Sequence, residues 1–254
     1  MSTDVKGRLV ILCGPSCVGK SPLYKALCKF HPELSKRLQK LVLYNSRAPR
    51  PGELDGVDHH FRAREQVEAL KADSRYVVRE VRGDLHALDL QELQGVLQRG
   101  DAFYEGNPFV GRELLTHPGL ANVRRLSIFL SPLSREEIRY LRGLVQNVSL
   151  EELVTDIMRR KLLRRSRRQK GELSAKDLEN IETRASSAYL ELQEASLFAH
   201  VIPNHDGEDS DNWEAFYYLI GDARKSLIAL VALLKGGVPV GVEQWEKELL
   251  ETPP

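Results

Sequence analysis

The chain has 254 residues, enough for one α/β core with small inserted lobes. Its 37 Lys and Arg balance 36 Asp and Glu to a formal net charge of +1, which excludes a global pull toward nucleic acid or an anionic membrane. No apolar run approaches the roughly 20 residues of a membrane span, and the start, MSTDVKGRLVILC, lacks the regions of a secretory leader, so a cytoplasmic protein is expected.

Arg8 to Cys13 (RLVILC) is a nearly continuous apolar run that ends at glycine, the pattern of a strand buried on both faces. Comparable runs at Leu41 to Tyr44, Ala102 to Tyr104, Leu126 to Leu130 and His200 to Ile202 predict four more strands. Helical periodicity falls between them, at Pro22 to Phe30, Leu90 to Leu97, Arg135 to Leu144, Leu153 to Leu163 and Leu178 to Phe198. Strands alternating with helices predict a mostly parallel five-stranded sheet with helices on both faces. Two stretches break the rhythm and read as insertions at the ligand-binding edge of the sheet. One is roughly 45–88, which opens with a turn-rich stretch and carries a predicted strand at Tyr76 to Val81; the other is roughly 158–176. Gly236, Gly237 and Pro239 end the pattern, which leaves 236–254 as an appended tail. Cys13, Cys17 and Cys28 are odd in number and lack metal-ligand spacing, so reduced packing thiols are expected.

Gly14-Pro15-Ser16-Cys17-Val18-Gly19-Lys20-Ser21 matches G-x-x-x-x-G-K-[ST] directly after a strand and before a helix, the context a phosphate-binding loop requires. The glycines let backbone N–H groups turn inward, the helix start adds its dipole, Lys20 bridges the outer phosphates from the solvent edge, and Ser21 offers a hydroxyl to Mg²⁺. The fold expected is therefore a three-layer P-loop α/β fold. Pro22 has no N–H to offer a phosphate, and losing one hydrogen bond to a charged group costs about 1.5 to 3 kcal/mol.

With GPSCVGKS at 14–21 and SRAPRPGELDGVDHHF at 46–61, the sequence resembles the guanylate kinase family, whose pattern after the loop runs T-T-R-x-P-R-x-G-E-x-x-G-x-D-Y-x-F. The resemblance implies a kinase domain over 6–235, with an acceptor-binding insert at 45–88 and a lid at 158–176. It implies Mg²⁺-dependent transfer of the γ-phosphoryl of ATP to GMP, with Arg47 and Arg50 holding the acceptor's phosphate through guanidinium forks. IETRASSAYLEL at 181–192 resembles the family's lid-proximal helix and implies a phosphate contact for Arg184; VIPNHD at 201–206 implies Asn204 near the adenine of ATP. Departures gather in the acceptor pocket. His59 stands for a tyrosine and Leu43 for a serine; Val78 and Ala87 fall at the base-reading glutamate and a phosphate-binding tyrosine. Glu80, on the same strand face as Val78, is the expected substitute carboxylate, and Glu105 the acid at the metal or acceptor.

Eight of the twelve residues from Arg159 to Lys170 are basic. Such a run reads as a solvated helix face, as a nucleic-acid patch, or as mobile arginines that neutralise a transferring phosphoryl group, with Arg165, Arg168 and Arg184 as the expected lid subset. No aromatic residues interleave the run, which counts against single-strand binding. The reading is a nucleoside monophosphate kinase whose partners are ATP and GMP; its rivals are the same enzyme with another phosphorylated acceptor and a nucleotide-binding module that has lost turnover.

Overall fold

A computed structural model describes residues 7–49, 52–143 and 149–250. In chain order the elements are β1 (Leu9–Cys13), α1 (Lys20–Phe30), α2 (Pro32–Ser35), β2 (Leu38–Lys40), β3 (Tyr44–Asn45), β4 (His60–Phe61), α3 (Arg64–Ala69), β5 (Tyr76–Val81), β6 (Asp84–Asp89), α4 (Leu90–Arg99) and β7 (Asp101–Gly106). They continue with α5 (Pro108–Thr116), β8 (Arg125–Ser131), α6 (Arg135–Gly143), α7 (Leu150–Lys170), α8 (Ala175–Ser186), α9 (Ala188–Gln193), β9 (His200–Pro203) and α10 (Gly221–Leu234).

The main sheet runs β2-β7-β1-β8-β9 and every pairing in it is parallel. β1 lies in the middle, with Leu9, Val10, Ile11 and Leu12 wholly buried, because helices cover both faces and leave no polar side to alternate with. Its register, Leu12 opposite Glu105 on one side and Ile128 on the other, brings the end of β1 level with Glu105. A second, four-stranded sheet, β4-β3-β6-β5, spans 44–89 and has its own small core of Val67, Leu85 and Ala87 beneath α3.

The apolar run at 41–44 is not a main-sheet strand. That strand is β2, three residues earlier, and Leu41 and Leu43 are buried in the link from β2 to β3. The long helix expected over 178–198 is broken: α8 ends at Ser186, α9 begins at Ala188, and the Ser187 hydroxyl turns to the Glu191 carboxylate, 2.6 Å away. Sequence periodicity placed no element at α5 or α10; α5 is short and opens on proline, and α10 is apolar on most of its surface because it is buried against α1 and β9. Residues 239–250 fold back onto the domain. Val201 and Glu243 exchange backbone hydrogen bonds at 2.7 and 2.8 Å, Trp245 is buried, and the Tyr189 hydroxyl donates to the Leu250 carbonyl at 2.9 Å. Cys13 and Cys17 are buried and Cys28 is exposed, all as free thiols.

His205, just beyond β9, joins two helices: its Nδ1 lies 2.5 Å from Asp222 of α10 and its Nε2 2.9 Å from Glu137 of α6. Burial alone would lower its pKa, but Asp222 and Glu137 outweigh it and raise it. The stabilisation is therefore complete below the unfolded value of about 6.5 and is lost as pH rises through the higher folded value. Asp222 is held down to about 2, partly by Lys225, and Glu137 is held below its ordinary value, so neither titrates in that window. We expect thermal stability to fall as pH rises above about 6.5 and this component to vanish in His205→Asn; a pH series of melting temperatures for both proteins checks it.

Candidate functional site

The loop after β1 is shaped by contacts that only glycine permits. Gly14 and Gly19 have φ of 151° and 107°, and a Cβ at Gly14 would lie 2.4 Å from the Leu130 carbonyl oxygen. At Gly19 it would meet the Asn204 amide at 2.5 Å. Each loop residue between them has an assigned neighbour: Pro15 O accepts from Lys20, Ser16 Oγ from Arg184 Nε at 3.2 Å, Cys17 O from the Glu208 amide, and Val18 O from Asn204.

Lys20 departs from the solvent-edge expectation. It is 8% exposed, and its Nζ donates to Gly14 O and Pro15 O at 2.7 and 2.8 Å. Burial lowers its pKa, and the charges of Glu208, Glu105 and Glu191 oppose that shift. Ser21 Oγ donates to Glu105 Oε1 at 2.6 Å, which joins the start of α1 to the end of β7. This oxygen-only pair suits a hard divalent cation such as Mg²⁺.

Asn204 is fully buried behind the loop and does not line the cleft, because its Nδ2 is bonded to Val18 O and Asp206 O at 2.7 and 2.8 Å. The position expected beside adenine is instead a strut for the loop. Of the expected lid arginines, Arg165 and Arg184 line the cleft; Arg168 does not, since it pairs with Asp211 at 2.9 Å on the exposed side. The basic run on α7 faces the acidic stretch 206–211: Arg164 pairs with Asp209 at 2.7 Å and Arg165 with Glu208. Glu208 reaches the cleft. Burial would raise its pKa, but Arg165 and Lys20 hold it below the ordinary range, so it is an anion beside the phosphate loop.

The cleft, about 290 Å³, separates this loop from the four-stranded sheet. Arg47 lines it, with both terminal nitrogens on Glu53 at 2.6 and 2.7 Å and its guanidinium over the Phe61 ring at 5.3 Å. Arg50 lies outside the described residues. His59 lines the cleft; burial, with Arg47 beside it, pushes its ring down to about 4, so it is neutral at pH 7.

Glu80 is not at the acceptor. It shares a strand face with Val78, as expected, but that face is turned toward α3, where Glu80 pairs with Arg64 at 3.0 Å and is 55% exposed. Val78 and Ala87 are cross-strand partners at the lobe's small core. The cleft instead receives Val81 and Arg82 with Asp84 and His86 of β6. A shift of the motif by one residue accounts for this, because a one-residue slip turns every side chain of a strand to its other face. His86 then takes the tyrosine position and Val77, packed on the main core, the glutamate position. Sequence reasoning also missed Arg82, Glu191 and Glu208. An acidic run following a basic one was a signal for Glu208; Arg82 and Glu191, 109 residues apart, offered none.

The guanylate kinase family model matches residues 6–102. A guanylate kinase of Shewanella denitrificans is 33% identical over 154 residues, which cover 58% of this chain and 69% of the relative. One from Synechococcus sp. is 33% identical over 142 residues, 52% of this chain and 58% of the relative. The crystal structure of guanylate kinase from Anaplasma phagocytophilum superposes with a TM-score of 0.53 and 17% identity over 92% of this chain and 87% of its own, a likeness of fold. With a complete phosphate loop on the middle strand of a parallel sheet, and a relative matched at that identity over more than two thirds of its length, this chain belongs to the guanylate kinase family.

Proposed function

We propose that the protein transfers the γ-phosphoryl group of ATP to GMP. The observation that carries this reading is the opposition, across one cleft, of a complete phosphate loop with its Lys20 and Ser21–Glu105 pair and a separate lobe bearing Arg47 and two histidines. Phosphoryl transfer asks little covalent chemistry of a protein, so positioning and neutralisation suffice. In this reading loop amides and Lys20 hold the donor's phosphates, Ser21 and Glu105 would hold Mg²⁺, which when bound would supply positive charge to offset that of the phosphates, and Arg165 and Arg184 face the transferring group. Arg47 and Arg50, with His59 and His86, hold the acceptor's phosphate within an acceptor lobe at 45–88. The lid is the 158–176 stretch, whose Arg164, Arg165 and Arg168 are matched to acidic partners, which argues against a nucleic-acid surface. No described helix is long and apolar enough to cross a membrane.

Lys20→Ala should lower ATP-dependent turnover by about 10²-fold or more, as loss of a preorganised charge contact does. It should also melt earlier than wild type, because Lys20 bonds two loop carbonyls. A coupled ADP-release assay and a melting curve read the two effects, and wild-type turnover in the variant would remove the loop from the mechanism.

On the acceptor side, Glu80→Gln should leave kcat/KM for GMP unchanged, since Glu80 faces away from the cleft. His86→Ala should lower it by roughly 10-fold or more, the scale of one hydrogen bond to a charged group. The KM for ATP should stay put in both. Steady-state kinetics with GMP varied decide the matter; a large effect of Glu80→Gln would restore it to the acceptor site.

A further inference from the structure

β5 and β6 are joined by two residues, Arg82 and Gly83, both with positive φ, 55° and 83°. Tight hairpins of this type favour Asn, Asp or Gly at the first of these positions, so an arginine there carries backbone strain that some other contact must offset. That contact lies across the cleft. Arg82 Nε donates to one oxygen of Glu191 on α9 at 2.8 Å, and NH2 lies 2.6 Å from the same oxygen as an ion pair. Glu191 is wholly buried, and the same Oε1 accepts from Asn107 Nδ2 at 2.9 Å and Ser187 Oγ at 2.6 Å. Asn107 caps α5, two residues beyond Glu105. The hairpin tip of one lobe is thereby docked against the wall that carries the other lobe's acid.

The orientation of the guanidinium is what matters. Glu191 holds Arg82 by its side edge, Nε and NH2, and NH1 donates to none of the described residues. The end edge, NH1 with NH2, is the one that receives two oxygens of a phosphate in parallel. Arg47 differs, because its NH1 and NH2 are both engaged by Glu53. Arg82 lines the same cleft as Arg47 and is mostly buried, with 17% of its side chain exposed.

We propose that Arg82 is a ligand of the acceptor's phosphate, presented end-on by Glu191 as its positioning residue. This rests on the kinase reading of the cleft. Binding of GMP and of guanosine, which lacks the phosphate, is measured by calorimetry on the full chain for wild type, Arg82→Ala, Arg82→Lys and Glu191→Gln, together with kinetics and melting temperatures. Arg82→Ala should weaken GMP by roughly 10- to 100-fold while guanosine affinity and the KM for ATP hold. Arg82→Lys, a point charge without a fork, should recover part of the loss. Glu191→Gln should raise the KM for GMP with kcat less affected. Wild-type GMP affinity in Arg82→Ala, with only a lower melting temperature, would make the pair a strut between lobe and core and overturn the proposal. An equal loss of GMP and guanosine would overturn it too. A wild type that binds ATP but no nucleoside monophosphate would fail the kinase reading itself, a result distinct from either.

Discussion

From a single amide nitrogen Asn204 holds the carbonyls of Val18 and Asp206, and that pair of bonds fixes the phosphate loop to the end of β9. The loop is otherwise a run of turns with two positive-φ glycines and Cys17 at φ 69°, a conformation that intrinsic preference does not choose. It is held because the strands on either side of it are buried and rigid and because Asn204 fills the space that a Cβ at Gly19 would need. From that anchor the rest follows in order. Gly19 opens α1, α1 presents Lys20 and Ser21, and Ser21 meets Glu105 because the β1–β7 register sets Glu105 opposite Leu12. A buried side chain with no place in the cleft thus helps to fix where Lys20 and Ser21 stand.

Around the loop the charges are nearly balanced within the protein. Lys20 rests on carbonyls, Arg165 on Glu208, and Arg47 on Glu53. An isolated cation at these depths would be costly, and the carboxylates remove that cost without a ligand. The consequence for a phosphorylated nucleotide is competition. A triphosphate arriving at the loop brings its own negative charge to cations that already have anions, so its affinity is a difference between two sets of charge contacts. Glu208, kept ionised beside Lys20 by Arg165, is the carboxylate most directly in that exchange.

How much of this was legible in the sequence depended on the distance over which each signal acts. β1, the loop and α1 are contiguous, and an apolar run, two glycines and a Lys-Ser pair mark them without reference to anything else. The main sheet was readable as five strands, although the second was placed on the apolar linker 41–44 and not on β2, because burial of a linker and of a strand look alike in composition. Asn204 was recognised by its motif and given the wrong duty: the motif marks a buried amide near the nucleotide, and only the fold reveals that the amide faces the loop's back. Arg82 and Glu191 are separated by 109 residues, and nothing local in either segment announces the other.

The acceptor lobe shows why a strand is read safely only together with what lies on both of its faces. Its sheet is small, and it needs an apolar face of its own beneath α3 to stand apart from the main core. Val78, Leu85 and Ala87 supply that face, so polar groups at those positions would be buried without partners. Every side chain that meets the cleft has to come from the alternate positions, and on β6 these are Asp84 and His86. Period-two alternation by itself allows either assignment of faces. What decides between them is the apolar residue of α3, Val67, wholly buried against Leu85 and Ala87, which the sequence reading left unassigned. Had α3 been placed first, its need for an apolar partner would have turned Ala87 inward, set His86 in the cleft and removed Glu80 from the acceptor site.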